Sequence, residues 1–575
     1  MTARSLSRPS PRLLTMGVAA TLALGLLGEG AAAHVVSASA ATPPAGAAVT
    51  TTTDSTETAP SSAQRGLRIV PTGDTVQGYA FDGFVYVDSQ VWLGAYGESH
   101  EFLAKRTTAS APATLTRTVI RGNKRTTTKV PAALVDGLDG LKNGLTVKIA
   151  TPNGKVLLEE TRSLCPGGWD RQRIQPTGRT EPVYPSLCGG SWFTKSTVFG
   201  IEEGWAARLD AFFQVQTKRT DLVMTTTVND KVANFLGLPA KGRSVTQKLK
   251  IVDECSEWGC EGVADQLLGE PEEGFSTLVG QDAQSTRAES LRAQGGAHTG
   301  HAESSDTGRP VNLFTLDSSP AHGGDHPSLG QAGTTPSTKK PAKDSLPDLV
   351  SVPAWQIGNE VDEAGVDRLT FNAHEWNAGP GPLVVEGYRR GSAEVMDAYQ
   401  MFYRDGKEVG STKTGTMEYH EAPEHDHWHF LDFASYELVT PKGKLVTTSG
   451  KQSWCLVPTN AVDLSVPGAV WRPEATGLDS ACGERSALWL REVLPVGWGD
   501  TYNQSQTQAF DLTGVRNGTY QIKITVNPNG NLHERTTSNN VSYRTVILGG
   551  KPGARTVKVP PYEGVDTEVP EVVED

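Results

Sequence analysis

His425, His427 and His429 stand at alternate positions, separated only by Asp426 and Trp428. Side chains of a β-strand alternate between its two faces, so an extended backbone here puts all three imidazoles on one side. Neutral imidazoles suit copper, zinc, iron or nickel better than calcium or magnesium, and three protein ligands leave positions open for water, dioxygen or substrate. In a flat strand the outer two would lie roughly 13 Å apart at the Cα atoms. One metal therefore needs twist or a bulge to lean them together. A structural metal is the plainer use of such a cluster. No HExxH segment and no serine-centred nucleophile motif accompanies the histidines, which disfavours a zinc hydrolase.

The surrounding motifs run over roughly residues 346–548. After the triplet come Leu431-Asp432, then Ser435-Tyr436-Glu437-Leu438, then Gly450-Lys451-Gln452-Ser453-Trp454-Cys455-Leu456 and Asp500-Thr501-Tyr502. Further on stand Phe510-Asp511-Leu512-Thr513-Gly514-Val515, Gly518-Thr519-Tyr520, Val526-Asn527-Pro528 and Asn539-Asn540-Val541. In this order the set resembles the lysyl oxidases, the secreted copper and quinone amine oxidases. The resemblance implies copper(II) held by His425, His427 and His429, and a lysine tyrosylquinone cofactor joined from Lys451 and Tyr502. It also implies the reaction: a primary amine, on peptidyl lysine or a small molecule, becomes an aldehyde, with dioxygen reduced to hydrogen peroxide and ammonia released. Animal members carry a further His before the Tyr of their S-H-Y-D-L motif. This sequence runs Ala434-Ser435-Tyr436, so Asp432 is the candidate general base, or a residue that orients a copper-bound imidazole. Animal members also carry a His three residues before the triplet; here His420, Glu421 and Glu424 lie nearby and could supply a fourth ligand. Taken singly, Lys451 reads as a solvated residue and Tyr502 as a core aromatic.

The elements that must hold these residues read as β-structure. Apolar and β-branched runs such as Gly83-Phe84-Val85-Tyr86-Val87, Leu145-Thr146-Val147-Lys148-Ile149 and Tyr520-Gln521-Ile522-Lys523-Ile524 are broken by Gly, Asn and Pro turns. Pro152-Asn153-Gly154 between two such runs signals a hairpin. The expected class is mostly β and multidomain, with an N-terminal sandwich-like region and a C-terminal antiparallel domain of lysyl oxidase type. The expected order is a signal peptide at 1–33, a disordered leader at 34–65, a β-rich region of one or two domains at 66–264, a linker at 265–345, the catalytic domain at 346–549 and an acidic tail at 550–575. The signal peptide reads from Arg4, Arg8 and Arg12, the apolar run Leu13 to Leu27, and Ala31-Ala32-Ala33. It makes the chain a secreted, extracellular one, and no later stretch reaches the ~18 apolar residues of a membrane helix.

The 575 residues carry a formal charge of -12, which would repel a phosphate backbone, so nucleic acid is a poor partner. The same field would draw in cationic amines or lysine-rich surfaces. Six cysteines in an exported chain suggest disulfides, and the local pairs are Cys165 with Cys188, Cys255 with Cys260, and Cys455 with Cys482. His100 alone in its region reads as structural, and His298, His301, His322 and His326 fall in linker sequence. The Ala- and Thr-rich leader hints at a bacterial source. The alternative to an oxidase is a non-catalytic extracellular β-sandwich that binds metal through the triplet and serves in adhesion.

Overall fold

Alternation of apolar and polar side chains builds this molecule strand by strand. Asp221–Val228 (DLVMTTTV) and Gly518–Val526 (GTYQIKITV) each bury every second residue along most of their length. That pattern belongs to a strand with one face on a core. The computed structural model describes residues 65–81, 83–168, 170–176, 178–186, 188–209, 212–253, 341–389, 394–420, 427–450, 453–503 and 508–568. His425, Lys451, the Cys255 and Cys260 pair, the leader and nearly all of the linker lie outside the described residues.

The chain is mostly β, and the only α-helix among the described residues is the short Asp230–Leu236. The N-terminal half holds three sheets, the largest of eight strands. Its hairpin at Pro152-Asn153-Gly154 joins Gly140–Ala150 to Val156–Leu164 in antiparallel register. The C-terminal half holds three five-stranded sheets. The first contains Leu349–Val361, Asp367–Asn377, Trp498–Tyr502 and Asn460–Ala461, with Ala509–Asp511 also on Asp367–Asn377. The second runs His427–Phe430, Lys407–His420, Val395–Arg404, Leu383–Arg389 and Trp489–Leu494. The third runs Leu445–Thr448, Ala434–Val439, Gly518–Val526, Val541–Lys551 and Ala554–Lys558. All three give side chains to one core, among them Phe371, Met417, Phe430, Tyr436 and Ile522.

The two halves pack on each other, and the described residues belong to one compact unit. Thr194 Oγ1 donates to the Ala461 carbonyl at 2.9 Å and Ser196 Oγ to Asp463 Oδ1 at 2.6 Å. Beside them Trp192 and Phe193 meet Trp355 edge-to-face at 6.0 and 5.3 Å between centroids, a favoured aromatic geometry. Arg106 stiffens the loop that carries these rings, donating to the carbonyls of Ser191 at 2.7 Å, Trp192 at 2.8 Å and Thr194 at 2.7 Å. The Asn460–Ala461 strand that receives Thr194 is itself paired to Trp498–Tyr502. The N-terminal half thus braces the strand that bears Tyr502.

Disulfides join Cys165 to Cys188 and Cys455 to Cys482. Part of the acidic tail forms an edge strand. Ala554–Lys558 pairs with Val541–Lys551, Val557 and Val559 pack on the C-terminal core, and Glu568 meets Arg544 at 3.0 Å.

Phe371 is fully buried, stacks on Phe510 at 5.1 Å and meets Tyr436 edge-to-face at 5.3 Å. Phe371→Ala is expected to lower stability by about 3–5 kcal/mol through lost burial and a cavity, measured as a shift of the urea midpoint at unchanged slope.

Candidate active site

The strand His427–Phe430 owes its register to its apolar side chains. Trp428 and Phe430 are almost wholly buried and face the core, so the alternate residues His427 and His429 take the other face. Lys407–His420 lies alongside, with Glu418 opposite His429, Tyr419 opposite Trp428 and His420 opposite His427. Directly opposed residues share a face, so His420 joins the imidazole face from a second strand. The ring centroids of His427 and His429 are 4.5 Å apart, and those of His420 and His429 5.3 Å. Of the three expected ligands, the structure brings His427 and His429 together, with the His420 ring beside them, and His425 lies outside the described residues.

On the other edge of this strand runs the segment that follows Lys451. Phe430 and Trp454 exchange backbone hydrogen bonds at 2.7 and 3.0 Å, and the Trp428 amide donates to the Cys482 carbonyl at 2.9 Å. Because Cys482 is bonded to Cys455, the disulfide ties together two segments that both touch the histidine strand. The Trp454 indole is fully buried and donates to the Tyr436 hydroxyl at 2.9 Å.

Tyr502 meets that same segment from below. Its ring lies 4.2 Å from that of Trp454. The Cys455 amide donates to Tyr502 Oη at 2.8 Å, the Leu456 amide to Glu492 Oε2 at 3.0 Å and the Val457 amide to Asp500 Oδ2 at 3.4 Å. Three successive amides, beginning four residues after Lys451, are therefore held by the Tyr502 phenol and two buried acids. The phenol sits on the core side, with Trp454 and Phe430, and the imidazoles lie on the opposite face of the histidine strand. Gly499 lets the tyrosine strand close on Asp367–Asn377, since a Cβ there would strike the Glu375 carbonyl and the His374 ring.

Three acids in this core went unnoticed in the sequence as chemistry: Glu375, Glu492 and Asp500, each at most 1% exposed. Glu375 lies directly opposite Asp500, and Tyr502 follows two residues along on the same face. Burial first, and Asp500 second, push both the Glu375 carboxyl and the Tyr502 phenol well above their ordinary ranges. Burial likewise raises Glu492, against the pull of the Leu456 amide. A signal existed in the sequence. Phe371 to Trp376 and Trp489 to Leu494 carry Asn372, His374 and Glu375, and Arg491 and Glu492, among large apolar residues, and a buried acid needs a reason. His374, beside Glu375, is buried against Phe193 at 4.3 Å and bonded to Thr501 at 2.8 Å, and burial pushes it down to about 3.

Asp432 is set apart from this core. It is exposed in the turn after the histidine strand, with φ of 58° in the left-handed region that Asp tolerates.

Residues 404–554 match the lysyl oxidase family model. The chain is 28% identical to the human lysyl oxidase homolog 4 over 205 residues, which is 34% of this chain and 24% of that protein. It is 30% identical to the mouse homolog 4 over 157 residues, 27% of this chain and 18% of the relative. Pig protein-lysine 6-oxidase is 28% identical over 211 residues, 34% of this chain and 74% of the relative. The chain thus spans a quarter or less of the homolog 4 proteins it matches. The likeness supports kinship with lysyl oxidases at family level for the C-terminal half, and these animal relatives lend the expectation of a bacterial source no support.

The acids set a sign for pH dependence. A carboxyl whose folded pKa is raised contributes nothing adverse below its unfolded pKa, and it costs stability as pH climbs from there through the folded value. Thermal unfolding of Glu375→Gln is therefore expected to occur at a higher temperature than that of the parent at pH 8, with the gap closing toward pH 4. A gap that widens on acidification would contradict the assignment.

Proposed function

We propose that the chain is an exported, copper-dependent amine oxidase that converts primary amines, on peptidyl lysine or small molecules, to aldehydes with release of ammonia and hydrogen peroxide. The observation that carries this reading is the hydrogen bond from the Cys455 amide to Tyr502 Oη, which puts the phenol of one motif against the segment that carries Lys451. Both residues match the positions from which lysyl oxidases make lysine tyrosylquinone.

His425, His427 and His429 are the proposed copper ligands, and an all-imidazole donor set fits copper(II). Copper there would supply the redox partner with which dioxygen oxidises a phenol. The protein's own part is proton handling and exclusion of water. Tyr502 must give up its hydroxyl proton and the Lys451 amine must be neutral to act as a nucleophile. Buried Glu492, held by the amide next to the one that holds Tyr502 Oη, is proposed as acceptor of the phenol proton in place of exposed Asp432. The same burial keeps water from the reactive ring. Tyr502 must also leave its Cys455 partners to reach the imidazole face, so cofactor formation includes a local rearrangement.

Purified copper-loaded protein is expected to release peroxide from benzylamine or diamines and to stain for quinone. Lys451→Arg and Tyr502→Phe should each abolish both signals, a loss of at least 10³-fold in rate, because removing a covalent cofactor leaves no parallel route. Full activity in both variants would exclude the cofactor proposed from Lys451 and Tyr502.

A further inference from the structure

The solvent face of an antiparallel sheet ordinarily carries polar side chains. The eight-stranded sheet of the N-terminal half departs from this at one end, where Thr75–Phe81, Phe84–Asp88 and Phe212–Gln216 lie side by side. Their inward side chains, Val76, Val85, Val87, Phe213 and Val215, belong to the core. On the outward face stand Tyr79, Phe81, Phe84, Tyr86 and Phe212. Tyr79, Phe81 and Phe212 are 39%, 37% and 58% exposed, and none of the five rings belongs to the core. A clustered apolar patch of this kind marks a contact surface.

Register sets the rings in an array. Tyr79 stands opposite Tyr86 and Phe81 opposite Phe84, while Tyr86 and Phe84 stand opposite Gln214 and Gln216 on their other side. Tyr86 and Phe212 have centroids 6.0 Å apart and planes only 29° apart, so their faces point in nearly the same direction, and Phe84 lies 6.4 Å from Tyr86. Amides hold the phenols in place: Gln77 Nε2 donates to Tyr79 Oη at 3.0 Å, and Gln214 Nε2 to Tyr86 Oη at 3.4 Å. Rings, hydroxyls and amides thus alternate over three neighbouring strands.

Charge selects the occupant. From Gln77 to Phe81, from Phe84 to Tyr86 and from Phe212 to Gln216 every outward side chain is uncharged, in a chain of which 21% is Asp, Glu, Lys or Arg. Charge returns at the borders with both signs, Asp88 ending the middle strand and Lys248 and Lys250 exposed on the next one. A polymer of either charge therefore gains nothing here over an uncharged one. An uncharged polysaccharide complements the face, because its pyranose C–H faces lie on aromatic rings while its hydroxyls meet amides and phenols. An extended β-1,4-linked ribbon can cross the three strands in succession, whereas a coiled α-linked chain curves away from them. Anionic membrane surfaces call for clustered cations, which these three strands lack. A second copy of the chain fits less well, since apolar self-contacts resemble a divided core and not rings interleaved with glutamines.

We propose that this aromatic face binds an uncharged, extended polysaccharide and tethers the chain to it, independently of the amine oxidase chemistry. The test is co-sedimentation of the full chain with cellulose and with chitin, against insoluble starch and anionic phospholipid vesicles. Retention on at least one of the two β-1,4-linked polymers is expected to exceed that on starch at least tenfold and to hold from about 0.1 to about 1 M salt, because no ion pair contributes. The double variant Tyr79→Ser, Phe212→Ser alters only exposed rings and is expected to lose retention at least tenfold at an unchanged unfolding temperature. Leu445→Ser, which removes an apolar side chain of similar exposure from the C-terminal half, should leave retention intact. Equal retention of the parent and the double variant, retention on neither polymer, retention on starch as strong as on both, or sedimentation with vesicles alone would overturn the proposal.

Discussion

The backbone seam between Phe430 and Trp454 is the constraint on which the rest of the site depends. Through it the histidine strand and the segment that carries Lys451 share a pair of hydrogen bonds. One residue further on, the amide of Cys455 holds the hydroxyl of Tyr502. The histidine strand, the segment that follows Lys451 and the phenol are thus joined through consecutive backbone groups, although they are separated by tens of residues in sequence. Buried polar backbone must find partners, and here the partners it finds are the groups of the proposed chemistry. The Cys455–Cys482 bridge closes the arrangement, because the Cys482 carbonyl takes the Trp428 amide on the same histidine strand.

Around that seam the protein gathers charge that a core would ordinarily reject. Glu375 and Asp500 oppose each other across two buried strands, and both oxygens of Glu375 lack a hydrogen-bond partner among the described residues. Like charges so disposed cannot both ionise cheaply, so the pair favours holding a proton. Sites that move protons gather groups of this kind, at the expense of stability. The N-terminal half bears on the same place through Thr194 and Ala461, and through the packing of Phe193 on His374, next to Glu375. It is part of the scaffold of Tyr502 as well as a neighbour of it.

Much of this was legible in the residues. The β class followed from alternation and turn chemistry, and the strands around Leu145, Leu383 and Tyr520 lie where the apolar runs stand. Two of the local disulfides expected from the cysteine spacing are present. What could not be read was anything set by pairing between distant segments. Nothing in the sequence says that His420 opposes His427, because register depends on which face Met417 and Tyr419 must bury. Nothing says that Glu492 meets the Leu456 amide, or that the sequence past Gly550 holds a strand through two valines. Asp432 was weighed from its place beside the triplet, and a left-handed turn gives a local reason for Asp there without catalysis.

The central claim is that Tyr502 and the Lys451 segment are held together so that they become one cofactor. Tryptic mapping of the copper-loaded, aerobically incubated protein after reduction and alkylation tests it most directly. The account predicts a single linked species that joins the peptide containing Lys451 to the peptide containing Tyr502, with both free peptides depleted. Recovery of the two peptides separately and in full yield from copper-loaded protein would contradict it.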